Sequence, residues 1–222
     1  MDYTLEIACF EITSAQIALN SLADRIEFCA ERNVGGLTPN IDEFRYLKSI
    51  STKPIRVMLR PKEGSFLYNQ TEFEQMKKDL LQFKASGADG FVFGVLNEGN
   101  HIDLDKNREL LELAGDLPCT FHRAIDRTPD LNQAFKSLIE LGFASVLTSG
   151  GAASAMEGKD RLKELVELYN EKIEVLIGGS VRSENIEQLK LHTGASSFHS
   201  SAIPTYETFV NEDEIKKLKE YL

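Results

Sequence analysis

Cysteine is scarce in this chain: three in 222 residues, an odd count at wide spacing. A disulfide scaffold is therefore excluded, and a reducing, cytoplasmic home is expected. Positive charge is also in deficit. The 25 lysines and arginines face 35 acidic residues, a net charge of −10. Such a surface repels phosphate backbones, so no nucleic-acid partner is expected. No apolar run reaches the roughly 18 residues that a membrane-spanning helix needs, so no membrane partner is expected either. The start, MDYTLEIACFE, carries acids early and has no basic region, so neither a signal nor a transit peptide is read there. No linker-like Pro/Ser/Gly tract divides the chain, and one domain over residues 1–222 is expected.

What is present alternates. Short β-branched runs recur at 4–9, 25–29, 55–60, 90–94, 119–123, 145–149, 174–179 and 196–200. Helical patterns lie between them. Thr71 with Glu74 reads as a capping box before a stripe of Phe73, Met76, Leu80 and Phe83. Thr13 with Gln16 reads as a similar start, and Asp103, Asp130 and Ser183 as further N-caps. Three helix-to-strand junctions carry glycine where a left-handed cap needs it: Gly87, Gly142 and Gly194. Eight strand–helix units of about 28 residues predict an α/β fold, a single-domain (β/α)8 TIM-like barrel. The doubly wound alternative lacks its GxGxxG sign, because EITSAQ follows the first strand.

Strand side chains alternate between the helices and the barrel axis. That parity places Glu6, Glu27, Arg60, His122 and His199 inside. Buried charges there must pair or meet a ligand. Barrels of this type work at the strand C-termini, so Glu27, His122 and His199 are acid/base candidates and Arg60 an anion contact. The competing reading has Glu6 and Glu27 bracing arginines in an ion-pair network. Two glycine stretches, TSGGAAS and IGGSVRSEN, follow the sixth and seventh strands. Their exposed amides suit an anion, with Ser149, Gly150, Gly151, Gly178 and Gly179 as its cradle. Simple turn chemistry is the competing reading of the glycines. In TFHRAID, Arg123 either reaches this anion or pairs with Asp126 to stiffen its loop. Cys9 and Cys29 end neighbouring strands, and two thiolates there suit a low-coordinate ion such as Cu(I). Parity turns Cys9 outward, which favours two inert buried thiols.

The motifs LEIACF, ADRIEFCAE, GGLTPN, MLRPKEGSFLY, FGVL, TFHRAID, LTSGGA, GGSVR and FHSSA, in this order, resemble the CutC family of copper homeostasis proteins. The resemblance covers about residues 4–202. It implies a TIM-like barrel, a cytoplasmic homo-oligomer and a role in copper handling, with Cys9 and Cys29 as Cu(I) ligands. One stretch departs from the family pattern: RPKEGSFLYN has Lys62, Glu63 and Ser65 in place of arginine, glycine and aspartate, and Leu67 where some members have cysteine. Two functions are therefore expected as alternatives. One is Cu(I) binding in copper homeostasis. The other is an enzyme acting on a small anionic or phosphorylated metabolite at the strand C-terminal face.

Overall fold

The computed structural model describes residues 3–222. Its strands are β1 (Thr4–Cys9), β2 (Arg25–Phe28), β3 (Ile55–Met58), β4 (Gly90–Phe93), β5 (Cys119–Phe121), β6 (Ser145–Thr148), β7 (Glu174–Ile177) and β8 (Ser197–Ser200). They alternate with α1 (Ile12–Leu19), α2 (Ile41–Ile50), α3 (Gln70–Ala85), α4 (Leu104–Ala114), α5 (Leu131–Leu141), α6 (Lys159–Tyr169), α7 (Ile186–Thr193) and α8 (Glu212–Glu220). Every neighbouring pair is parallel, and β1 pairs with β8 to close the barrel. This is the (β/α)8 fold read from the alternation of patterns. No helix among the described residues is long and apolar enough to cross a membrane.

In five strands one parity is apolar and fully buried: Leu5 and Ile7, Ile26 and Phe28, Ile55 and Val57, Phe91 and Phe93, Val175 and Ile177. These join the helices' inner faces in a single core. On α3 that face is Phe73, Met76, Leu80 and Phe83, the stripe read from the sequence. Phe83 meets Phe44 of α2 edge to face at 5.2 Å. Each such side chain contributes roughly 1.5–3 kcal/mol by leaving water.

Helix starts depart from expectation in three places. The box on α3 is made by Asn69 and Glu72, two residues earlier than read. Glu11, not Thr13, caps α1, accepting from the amides of Thr13 and Ser14. Ser183 does not cap α7; Asn185 stands at that position, and Ser183 is bound by Glu214 instead. At α1 and α3 a nearby polar side chain takes the free amides first, while at α7 no side chain caps the start. Asp103 and Asp130 do cap α4 and α5. Gly87, Gly142 and Gly194 all have positive φ.

The other strand parity faces the axis and divides into two tiers. The lower tier, toward the strand N-termini, is an ionic floor. Arg25 donates from Nε to Glu6 Oε2 at 2.6 Å and from Nη2 to both oxygens of Glu174 at 3.1 and 3.2 Å. Arg56 donates from Nη1 to Thr120 Oγ1 at 2.7 Å and to Ser145 Oγ at 3.0 Å. Inside a closed barrel these charges are stable only because each meets an opposite charge or a hydroxyl. The floor carries the upper tier, where the cavity lies.

Candidate functional site

The mouth is a cavity of about 790 Å³ at the strand C-terminal end. Glu27, His122, His199, Arg60, Arg123 and Gly151 all line it. The barrel thus brings together residues 172 positions apart in the chain, from Glu27 to His199. Parity explains the gathering: Glu27 pairs in register with Ala8 and Arg56, and His199 with Glu6, all on the axial side.

Glu6, His199 and Glu27 form a chain from floor to mouth. His199 Nδ1 lies 2.8 Å from Glu6 Oε1, and its Nε2 lies 3.6 Å from Glu27 Oε2. Burial opposes the Glu6 charge, but Arg25, His199 and Arg56 outweigh it and hold the carboxyl well below the usual range. Burial also opposes a charged His199. The bond to Glu6 and the charges of Glu27 and Glu6 nevertheless raise its pKa. Glu27 meets only His199, at 3.6 Å, and no arginine among the described residues pairs with it. Burial pushes it up to about 7, with Glu6 adding and His199 and Arg56 opposing. Its Oε1 is buried without a hydrogen-bond partner. Two acids on one histidine have therefore been split, one held ionised and one poised near neutrality.

His122 sits across the cavity as a neutral group. Burial, with the Arg60 charge adding, pushes its pKa down to about 3. Its Nδ1 accepts from the Ala124 amide at 3.3 Å, which leaves the ring proton on Nε2. That Nε2 is buried and unpartnered. Phe66 packs on the ring, with centroids 4.8 Å apart. Gly94 makes the ring's position available, since a Cβ there would lie 2.8 Å from His122 Nδ1. His122, read as an acid/base candidate, is thus at neutral pH an uncharged ring with an N–H donor.

The expected anion cradle after β6 is already filled, and by the protein itself. Asp126 accepts from Thr148 Oγ1 at 2.6 Å, from the Ser149 amide at 3.2 Å and from the Gly151 amide at 3.0 Å. The Gly150 amide donates to Thr148 Oγ1. Arg123 donates to Asp126 at 2.8 Å, the loop brace read for TFHRAID, and to Ser149 Oγ at 2.6 Å. Ser149, Gly150 and Gly151 therefore hold no free amide cradle, because a carboxylate close in space took it first. Gly178 serves packing: a Cβ there would lie 2.5 Å from Leu147 Cδ1 and 3.4 Å from His199 Cβ. Gly179 lies at a neighbouring, smaller concavity. Arg60 turns to its own loops, donating to the carbonyls of Val34, Gly36 and Gly64, with Nε unpartnered beside Phe66.

The thiols are placed as parity implied. Cys9 joins the outer core, while Cys29 clusters with Met58 and Val92 on the inner side. The strand ends adjoin, with the Cys29 amide donating to Cys9 O at 2.9 Å and its Sγ lying 3.4 Å from that oxygen. Burial pushes both thiols up, and the nearby glutamates add to it. No group of three or more His, Cys, Asp or Glu among the described residues is arranged to hold a metal ion. The donor set therefore does not fit a three- or four-ligand site.

Arg56 and Glu174 escaped the sequence reading, although both lie on the axial side of their strands, Arg56 with the same parity as Arg60. Arg182 stands within the GGSVR motif, but nothing local shows that its guanidinium turns back to β8. Arg32 had no signal at all.

A model of the CutC family matches residues 3–204. The human copper homeostasis protein cutC homolog is 40% identical over 203 residues, covering 91% of this chain and 74% of that protein. A family protein CutC of Vibrio vulnificus strain YJ016 is 38% identical over 215 residues, covering 95% and 86%. Among solved structures, the putative copper homeostasis protein CutC of Streptococcus agalactiae superposes with a TM-score of 0.85 at 30% identity, over 90% of this chain and 98% of that one.

Proposed function

The chain belongs to the CutC family, and from that premise we propose that it shares the copper-homeostasis role in the names of its human and mouse relatives, with the mouth cavity as its working site. One observation carries the site. Glu27 Oε1 and His122 Nε2 are buried without partners, and both residues line one cavity. Buried polar atoms are almost always paired, so these orphans, with Arg60 Nε as a third on the same cavity, mark the place of a ligand. Glu27, titrating near 7, takes up a proton from that ligand at neutral pH. His122 donates its Nε2 hydrogen to the oxygen on which negative charge develops. His199, held by Glu6, positions and tunes Glu27. The class of ligand is a small anionic molecule with an acidic proton. The experiment is a thermal-shift screen of such metabolites, followed by exchange of the bound ligand's protons into deuterated water. Glu27→Gln is expected to slow that exchange by about 100-fold or more. Equal exchange in the variant, or a screen without a stabilising ligand, refutes the reading.

A narrower reading has Cu(I) held by Cys9 and Cys29. The relatives' names and the adjoining strand ends support it. Two thiolates suit the low coordination of Cu(I), and both protons must leave thiols that burial keeps protonated. Competition for Cu(I) against a colorimetric chelator checks this. The Cys9→Ser/Cys29→Ser protein is expected to lose the binding, and a double variant that titrates like the wild type ends the idea.

A further inference from the structure

Beside the main cavity, on the loops after β7 and β8, lies a second concavity of about 240 Å³. Arg32, Arg123 and Arg182 converge on it, with Gly179, Ser201 and His199 completing its wall. No carboxylate of the described residues lines it. In a chain of net charge −10, three guanidinium groups on one hollow with no carboxylate in its described wall gather positive charge there, although Asp126 pairs with Arg123 and the charges of Glu214 and Glu184 reach Arg182.

The three arginines are brought there by different means. Arg182 is half-buried and aimed by its own bonds, donating from Nη1 to Val181 O and Ser200 Oγ and from Nη2 to Ser201 Oγ at 2.9 Å. Glu214, an acid whose charge reaches Arg182, is itself taken by the Ser183 amide and hydroxyl. Arg123 uses Nε and Nη2 on Asp126, Ser149 and Ala152, which directs Nη1 toward Gly179. A Cβ at Gly179 would lie 3.4 Å from that Nη1 and 3.0 Å from Ser149 Cβ, so glycine lets the guanidinium lie against the backbone. Arg32 is exposed on the short 3-10 turn Arg32–Val34 after β2 and reaches the same hollow.

We infer that this concavity is an anion subsite for the phosphate group of a compact phosphomonoester, with Arg32, Arg123 and Arg182 as its ligands. Guanidinium groups match tetrahedral oxyanions through charge-assisted, forked hydrogen bonds. The loops after the last two strands are also where barrels of this architecture commonly hold phosphate. His199 and Arg123 line both hollows, so a phosphate here leaves the rest of a small ligand in the mouth cavity beside Glu27. The inference rests on the mouth-cavity reading only for what the rest of the ligand does; the phosphate subsite stands on the arginines.

Calorimetric titration tests it, with inorganic phosphate and ribose 5-phosphate as probes and with chloride and ribose as controls at matched ionic strength. Wild-type protein is expected to bind both phosphates and neither control, and the monoester more tightly. Arg32→Gln removes an exposed side chain and leaves the fold intact; it is expected to weaken phosphate about tenfold, as is Arg182→Gln. Glu27→Gln is expected to bind inorganic phosphate as the wild type does. Phosphate heat no greater than that of chloride, or undiminished affinity in Arg32→Gln, overturns the subsite. Phosphate binding that survives in Glu27→Gln while ligand proton exchange also survives keeps the subsite and removes the proton-transfer reading.

Discussion

The floor and the mouth of the barrel hold the same kinds of residue and use them in opposite ways. On the floor, Arg25, Glu6 and Glu174 contact one another directly, and Arg56 meets two hydroxyls. In the mouth, Glu27 and His122 each keep a buried atom with no partner. The floor follows the ordinary rule for buried charge and serves the fold. The mouth departs from that rule beside a cavity, where a ligand or water can complete it. Burial alone does not separate a structural acid from a working one; the separation comes from whether each lone pair is already taken.

The sharpest way to break this contrast is at the floor. Arg25→Met leaves Glu6 and Glu174 with only the more distant Arg56, at 3.8 and 4.0 Å, as a shared cation and is expected to destabilise the protein by about 3–5 kcal/mol in urea unfolding. A small loss there would mean that the floor is not the structural tier. Between the tiers, Gly94→Ala forces a methyl into the space of His122 and Phe121, each with a ring atom 2.8 Å from the new Cβ. A loss of roughly 1–3 kcal/mol and a displaced imidazole in the crystal structure are expected.

Glu27→Gln has a smaller effect, and its sign distinguishes the tiers. Folded Glu27 titrates near 7, against an ordinary value of 4.5. Between these, the folded state keeps a proton that the unfolded chain has lost, so stability falls as pH rises through this window. Glu6 runs the other way: its pKa is depressed, so its contribution is lost as pH falls below 4.5. Urea unfolding across pH is expected to show the Gln variant more stable than wild type by about 1 kcal/mol above pH 7, with the acid limb unchanged. The smallest effect is a silence. His122 carbon shifts in NMR are expected to stay flat between about pH 5 and 8, since the ring ionises near 3. A titration step near 6.5 would place His122 among the charged groups instead.

The barrel was legible because strand parity and helix stripes repeat many times along the chain, so an error in one unit is corrected by the next. Leu5 and Ile7 alone would not define a barrel; eight such runs do. Single-residue devices lack that redundancy. The α3 cap slipped from Thr71 to Asn69 because each is followed three residues later by a glutamate, Glu74 and Glu72, and so satisfies the same capping-box pattern. The mouth was half legible. Parity placed Glu27, His122 and His199 on one axis, but it could not show that Glu6 takes one face of His199 and leaves Glu27 with a free oxygen. The loop after β6 was misread for a related reason. Its glycines announce an anion, and the sequence does not say that the anion is Asp126, some 25 residues before Gly151.

That internal carboxylate shapes how a ligand meets the mouth. A loop whose amides already grip Asp126 is folded before anything arrives, so ordering it adds nothing to the entropy of association. Encounter with this rim of the barrel is then a collision with a finished surface, set by diffusion and by the field of the arginines, with no closing step to wait for on that side. The same grip makes the Ser149 and Gly151 amides slow to exchange with solvent in the empty protein, a tightness that most loops show only when a ligand is bound.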